Sequence, residues 1–470
     1  MGSRYTKQEL LGSAPIRKAL LSMGLPTMIG MMINALYNLV DAYFVGGLGT
    51  SQVGAISVTL PIGQVVTGIG LLFGTGAASC ISRLLGRGKR EVADKVASTA
   101  LYCSLAVGIA AIALALVFLR PLLLLLGATK GILPYALTYA RICLASSAFS
   151  LFNVTMNGIV TSEGSPRTTM YALLAGAVLN VILDPVFIYT LRLGIAGAAI
   201  ATAISQFAST AIYLSYILGK RSSFSFKPGE CSLERGILSE IFKTGVPVLL
   251  FQLLTSMSIM LVNVRSRGYG DSVIAGIGVV TRIMMMGSLV VFGFIKGFQP
   301  IAGYSYGAGN HGRLREAIRC SLWWSTLFCI AFGAIMIIFP STIISWFTKG
   351  DSGMMDIGRK ALRANGETFL FFGFYSVYSA LFLALGKARE GAILGTCRNG
   401  ICFVPAIALM PLLFGTTGIA YSQPVADILS IAVTIVMALR LERELTTMES
   451  KAGNAMPALY PAASFQQGNQ

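Results

Sequence analysis

Residues 20–45 read LLSMGLPTMIGMMINALYNLVDAYFV, a stretch with a single charged residue, Asp41. About 20 such residues cross the hydrocarbon core of a bilayer as a helix, and a run this long does not suit a soluble core. A carboxylate near the bilayer centre costs at least about 2.5–3.5 kcal/mol on insertion scales, so an acid inside a span is a functional position by default. Asp184 poses the same problem in Val181-Ile182-Leu183-Asp184-Pro185-Val186-Phe187.

The apolar pattern recurs along the chain. Spans are expected at about 20–45, 52–82, 96–119, 134–158, 168–190, 195–218, 243–266, 273–302, 318–340, 364–385, 391–413 and 417–440. The 470 residues are 55% hydrophobic and 12% charged, with mean hydropathy +0.73. A soluble domain carries about 25% charged residues. The expected fold is an all-α polytopic membrane protein with twelve transmembrane helices. Glycine and proline inside spans are tolerated where neighbouring helices re-satisfy the backbone.

A net charge of +17 would suit a nucleic-acid binder, but its distribution argues otherwise. Most Lys and Arg fall in the N-terminus, alternate loops and C-terminus, which is the positive-inside pattern. The chain is therefore expected in the plasma (inner) membrane with both termini cytoplasmic and no nucleic-acid partner. The segment 341–363, with Lys349, Arg359, Lys360 and Arg363, fits least well. No cleavable signal peptide is read, and the first span stays as a helix. The eight cysteines are scattered without metal-ligand spacing and read as packing residues. His311 is the single histidine and lies in a loop, so a proton relay would have to use carboxylates. No catalytic constellation of a membrane enzyme is present, and no organic cofactor is expected.

Sliding the chain by 221 residues lays 24–88 over 245–309 without gaps, with twelve of 65 positions identical. Six glycines coincide: Gly24 with Gly245, Gly47 with Gly268, Gly49 with Gly270, Gly76 with Gly297, Gly86 with Gly307 and Gly88 with Gly309. Pro26 meets Pro247. About two glycine coincidences would arise by chance at this composition, and glycines in phase mark repeated turns and close approaches. The period covers six spans, so the halves form a parallel repeat. An N-terminal six-helix lobe is expected over 1–218 and a basic cytoplasmic loop over 219–242. A C-terminal six-helix lobe is expected over 243–445, and a polar, disordered tail over 446–470. Two such bundles place a substrate cavity between them, opening to alternate sides. A monomer embedded in membrane lipid suffices for that.

Polar residues at helical spacing mark faces that cannot meet lipid. Asn34, Asn38 and Asp41 share one face of the first span, spaced four and three apart. Ser146, Ser150, Asn153 and Asn157 line the fourth, Asn180 and Asp184 the fifth, and Thr202, Gln206 and Ser209 the sixth. A serine stripe is more often helix-packing glue, and Ser146 and Ser150 read that way. For Asn180 with Asp184 the functional reading is stronger. Pro185 lacks an N–H, which leaves the Val181 carbonyl without its helical partner. Oxygen donors suit Na⁺, a hard cation, and two nearby acids that cannot easily both ionise suit H⁺. In the second half Asp41 overlays Val262, so the acid has no twin. Arg282, Lys296 and Arg398 are intramembrane cations there, and Arg398 could pair with Asp427.

The chain resembles the multidrug and toxic-compound extrusion (MATE) family, of the bacterial or archaeal type. The residues that carry the resemblance are Gly24-Leu25-Pro26, Tyr37-Asn38-Leu39-Val40-Asp41 through Val45-Gly46-Gly47-Leu48-Gly49, and Gly86-Arg87-Gly88. In the second half they are Gly245-Val246-Pro247, Gln299-Pro300 and Tyr304-Ser305-Tyr306-Gly307-Ala308-Gly309. The resemblance implies export of cationic amphipathic organic compounds in exchange for Na⁺ or H⁺. It also implies a cation site at Asp41, Asn180, Asp184 and Thr202, which would ligate the metal ion if Na⁺ is the coupling ion. Asn34 and Asn157 fall where the family lines its drug cavity. Asn38, Asn153 and Gln206 are expected to extend that lining, with Pro26 and Pro185 as hinges. The closest rival is a different secondary transporter of twelve helices; a second is a flippase of lipid-linked sugars or other lipid-like substrates, which the cations of the second half would suit.

Overall fold

The computed structural model describes residues 6–348 and 352–455, and every regular element among them is helical. The order is α1 (Lys7–Gly12), α2 (Ile16–Gly46), α3 (Thr50–Gly86), α4 (Arg90–Val117), α5 (Leu119–Leu125), α6 (Leu133–Ser162), α7 (Pro166–Pro185) and α8 (Ile195–Leu218). The second half follows as α9 (Arg235–Ser266), α10 (Asp271–Gly307), α11 (His311–Ile338), α12 (Pro340–Thr348), α13 (Ser352–Phe369), α14 (Phe372–Ala384), α15 (Ala388–Thr396) and α16 (Phe403–Ala455). A π-helical turn at Val186–Thr190 extends α7, and another at Cys397–Ile401 joins α15 to α16.

Ten helices among the described residues are long and apolar enough to cross a membrane, and α13 with α14, bent by 53°, makes an eleventh. The last of the ten runs over 61 residues, roughly 90 Å of helix and about three times a bilayer core. It breaks at Gly415, where φ is 57° and ψ −134°. Only glycine adopts that geometry without strain. Dividing the helix there gives the twelve spans, in two six-helix bundles.

The backbone repeats as the sequence does. Gly49 and Gly270 have φ of 126° and 100°, and Gly88 and Gly309 have 71° and 70°. Gly194, at φ 55° and ψ −132°, is the counterpart of Gly415 at the same offset of 221 residues. The repeat therefore extends well beyond the stretch where residue identities reveal it.

The lobes are joined at one end by a reciprocal exchange. The start of α2 (Ile16, Ala19, Leu20, Met23) is buried against Phe294, Phe298 and Leu381 of the second half. The start of α9 (Ile237, Ile241) is buried against Phe73, Ile81 and Ala97 of the first. Glycines of the repeat allow the contact. A Cβ on Gly297 would collide with the backbone of Gly24, one on Gly76 with the Ile241 carbonyl, and one on Gly245 with the Leu72 carbonyl. On the axis between the halves, a Cβ on Gly86 would strike the Tyr304 carbonyl and one on Gly307 the Arg83 carbonyl.

Three features differ from the sequence reading. Residues 235–242 are the first two turns of α9, and 219–234 is fastened to the first lobe rather than hanging between lobes. Ser98 Oγ donates to the Ser225 carbonyl at 2.8 Å, Tyr102 OH to Phe226 at 2.8 Å and Thr99 Oγ1 to Ser232 at 3.1 Å. Residues 446–455, expected in the tail, continue α16, where Arg315 Nη2 donates to Thr446 Oγ1 at 2.7 Å. Positions 456–470 lie outside the described residues. In 341–363 the awkward cations have partners on α13: Lys360 and Arg359 pair with Asp356 at 2.8 and 3.4 Å, and Arg363 with Glu367 at 3.5 Å. Lys349 lies outside the described residues.

Candidate functional site

Within the first lobe, α2, α7 and α8 converge on Asp184. Pro185 follows it directly, and the π turn begins at the next residue. Such bulges widen the helix and are frequent at functional sites. Asp184 and Asn180 are both fully buried. Asn180 Nδ2 donates to Asp184 Oδ1 at 3.3 Å and to Thr202 Oγ1 at 3.5 Å. Asp41, from α2, faces Asp184 closely enough for the two carboxyls to interact. The four residues that the sequence singles out are thus one cluster.

Three buried oxygens there have no hydrogen-bond partner among the described residues: Asp41 Oδ1, Asn180 Oδ1 and Asp184 Oδ2. The groups acting on Asp184 are Asp41 and Asn180, and no basic side chain is among them. A buried carboxylate pair without a counter-charge is costly. Carboxylate, amide and hydroxyl oxygens are the donors a hard cation takes, so the donor set fits Na⁺. A proton shared by the two carboxyls would relieve the same cost. Among the described residues no group of three His, Cys, Asp or Glu could hold a metal ion.

Sequence reasoning missed the rim. Tyr37 stands one turn before Asp41 and interacts with both acids and with Thr202. Tyr139 and Cys143 of α6 also reach Asp41. The spacing of Tyr37 to Asp41 was a usable signal; the α6 pair carried none, because Tyr and Cys are ordinary in an apolar helix.

The other candidates divide. Asn153 is buried, with Nδ2 donating to the Gln206 carbonyl and to Gln206 Oε1, both at 2.9 Å. Thr210 Oγ1 donates to Asn153 Oδ1 at 3.0 Å. Asn153 and Gln206 therefore bind each other across α6 and α8. Ser209 Oγ donates to the Ala172 carbonyl of α7 at 2.8 Å, which is packing glue. Asn34 is exposed on α2, and the Asn38 side chain lies outside the described residues. Asn157 meets the other lobe, accepting from Lys296 Nζ of α10 at 3.3 Å. Pro26 lies beside the inter-lobe contact. Its neighbour Thr27 donates to the Gly293 carbonyl at 2.6 Å.

In the second lobe Arg398, on its π turn, donates through Nε to Asp427 Oδ1 at 2.8 Å and lies over the Phe372 ring at 4.6 Å. Gln423 Nε2 and Thr368 Oγ1 also donate to Asp427, at 2.7 and 3.4 Å. The acid of this lobe is thus neutralised from within.

Twelve spans in two repeated bundles, closed at one end, with partnerless carboxylates inside one bundle, define a multi-pass membrane transporter rather than an enzyme. The MatE family model matches residues 26–186 and again 247–409, so the chain belongs to the MATE transporter family. The two matches begin 221 residues apart, the period of the repeat. The multidrug export protein MepA of Staphylococcus aureus (strain MRSA252) is 29% identical over 448 residues, covering 93% of this chain and 97% of that protein. A MATE multidrug resistance transporter in an outward-facing conformation superposes with TM-score 0.87 at 26% identity, over 95% of this chain and 99% of that one. A MOP-superfamily transporter from Pyrococcus furiosus superposes with TM-score 0.87 at 26% identity, over 95% and 100%. Its binding pocket is described as having reversed polarity, suggesting a different function.

Proposed function

We propose that this transporter exports cationic amphipathic organic compounds in exchange for Na⁺ or H⁺, by alternating access. The likeness to MepA along nearly the whole chain supports the substrate class. The observation that carries the coupling is the set of partnerless oxygens on Asp41, Asn180 and Asp184. The bodies that rock are the lobes 1–218 and 243–445, with 219–234 carried on the first and 235–242 forming the start of α9. The end carrying both chain termini is cytoplasmic, in the plasma membrane, so the closed end faces inward and this state is open outward. The protein works as a monomer in lipid.

Na⁺ or H⁺ entering from outside binds Asp41, Asp184, Asn180 and Thr202. The filled site draws α2, α7 and α8 together, with Pro26 and Pro185 as hinges. The cavity lined by Asn34, Asn38 and Asn157 then loses affinity for the organic cation, which leaves outward. Asn153 and Gln206 support that lining by tying α6 to α8. One positive charge moving inward gains about 2.3 kcal/mol per 100 mV, enough for roughly 50-fold accumulation of a neutral counter-substrate. One-for-one exchange of monovalent cations gains nothing from the potential.

Dye efflux from proteoliposomes under imposed Na⁺ or pH gradients tests this, and gradient-driven efflux that depends on Asp184 is the expected result. The second reading is a flippase of lipid-like substrates. It is favoured by Lys296, half-buried between the lobes, and by the reversed pocket polarity of the P. furiosus relative. Transbilayer movement of a fluorescent lipid without any movement of organic cations would establish it instead.

A further inference from the structure

A small cavity lies between the lobes at the closed end, lined by Asn157 and Thr161 of α6, Thr75 and Ser79 of α3, and Lys296 and Gln299 of α10. It straddles the axis that relates the halves. Thr75 and Lys296, Ala78 and Gln299, and Ser79 and Pro300 are each 221 residues apart, and all six line it. A position on that axis belongs to the path between the lobes. The charge does not follow the symmetry, because Lys296 stands where the first half has Thr75.

The lining is built to donate. No carboxylate is among the lining residues, and no charged side chain is among the influences on Lys296. Its ammonium donates to Asn157 Oδ1 at 3.3 Å, a neutral acceptor that leaves the positive charge uncompensated. Thr161 is 5% exposed, and its hydroxyl has no hydrogen-bond partner among the described residues. The volume, about 40 Å³, admits about three or four waters at roughly 10–15 Å³ each. That is room for an oxyanion, not for a whole amphiphile. A half-buried cation with neutral donors around it is stabilised by an anion, through charge-assisted hydrogen bonds.

We propose that Lys296, Asn157 and Thr161 form an oxyanion subsite on the axis between the lobes. The inference rests on the export reading and narrows it. The chain would take amphiphiles that carry a carboxylate or phosphate beside their cationic group, holding the anionic end at Lys296. The subsite is separate from the Asp41–Asp184 cluster, which lies within one lobe.

The test uses a rhodamine as its zwitterionic free acid and as its cationic methyl ester, with the full-length protein in proteoliposomes. Lys296→Met should lower gradient-driven export of the free acid by about tenfold, the scale of one lost charge-assisted hydrogen bond. Export of the ester should stay within about twofold, and Lys296→Arg should retain export of the acid. Thermal melting of each variant establishes that the fold is intact. Equal loss of both forms with the fold intact, or loss of neither, overturns the subsite and leaves the export reading standing. If wild-type protein drives neither form, the export reading fails instead. The subsite is then judged on a phospholipid with a fluorescent headgroup. Its transbilayer movement must fall in Lys296→Met, and unchanged movement overturns the subsite there as well.

Discussion

Asp184 and Asn153 lie in neighbouring helices, and both are buried polar residues, yet their surroundings set opposite roles. Asn153 has its amide and its carbonyl oxygen engaged by Gln206 and Thr210. Asp184 keeps an oxygen without a hydrogen-bond partner among the described residues. Replacing Asn153 with Ala should therefore act on stability, by about 1–3 kcal/mol for the stranded polar partners. Thermal melting measures that loss, and the ion dependence of transport should not change. Asp184→Asn should do the reverse, with little change in melting and loss of ion-driven transport. Asp41 and Asp184 were legible in the sequence because a carboxylate in an apolar run has to be explained, i to i+4 spacing added Asn180, and the family resemblance joined Thr202 to them. The Lys296–Asn157 contact was not legible. It joins positions 139 residues apart, and spacing along one helix says nothing about that distance.

At the scale of the element, the repeat glycines were legible as a phase and illegible as a function. Their shared 221-residue offset marks conserved geometry between halves. It does not say that Gly24, Gly76, Gly245 and Gly297 are where the lobes' backbones touch. Gly245→Val should open that contact, because the added side chain would meet the Leu72 carbonyl. In a background lacking the eight native cysteines, a cysteine at Thr161 should then label faster with a water-soluble maleimide, since the closed end can no longer seal. The break at Gly415 was anticipated by the gap between the last two spans. The 53° bend between α13 and α14 was not, because Leu370 and Phe371 carry no turn signal. Pro185 both interrupts α7 and adjoins the acid. Pro185→Ala should restore the hydrogen bond to the Val181 carbonyl and slow transport more than it weakens ion binding, which turnover and equilibrium ion titration separate.

The whole molecule is two lobes tied at one end, and the N-terminal segment adds to the tie. Lys7 Nζ donates to Glu163 Oε1 at 3.3 Å and to Tyr216 OH at 2.6 Å in the first lobe. Arg313 of the second lobe grips the same segment, with Nη1 donating to the Ala14 carbonyl at 2.6 Å and Nη2 to Leu11 at 3.2 Å. Arg313→Ala should loosen the closed state and raise labelling of the same Thr161 cysteine without altering the carboxylate cluster. The proposed coupling site has no counterpart in the second lobe: Asp41 overlays Val262 and Asp184 overlays Pro405, while Asp427 is held by Arg398. The proposal therefore assigns energy conversion to one lobe and transport to both. The most direct test is dye efflux from proteoliposomes under imposed Na⁺ or pH gradients, comparing wild type with Asp41→Asn, Asp184→Asn and Asp427→Asn. The account predicts that the first two abolish gradient-driven efflux while Asp427→Asn, if it folds, retains the ion dependence of the wild type. Full gradient-driven efflux in Asp41→Asn and Asp184→Asn would contradict it.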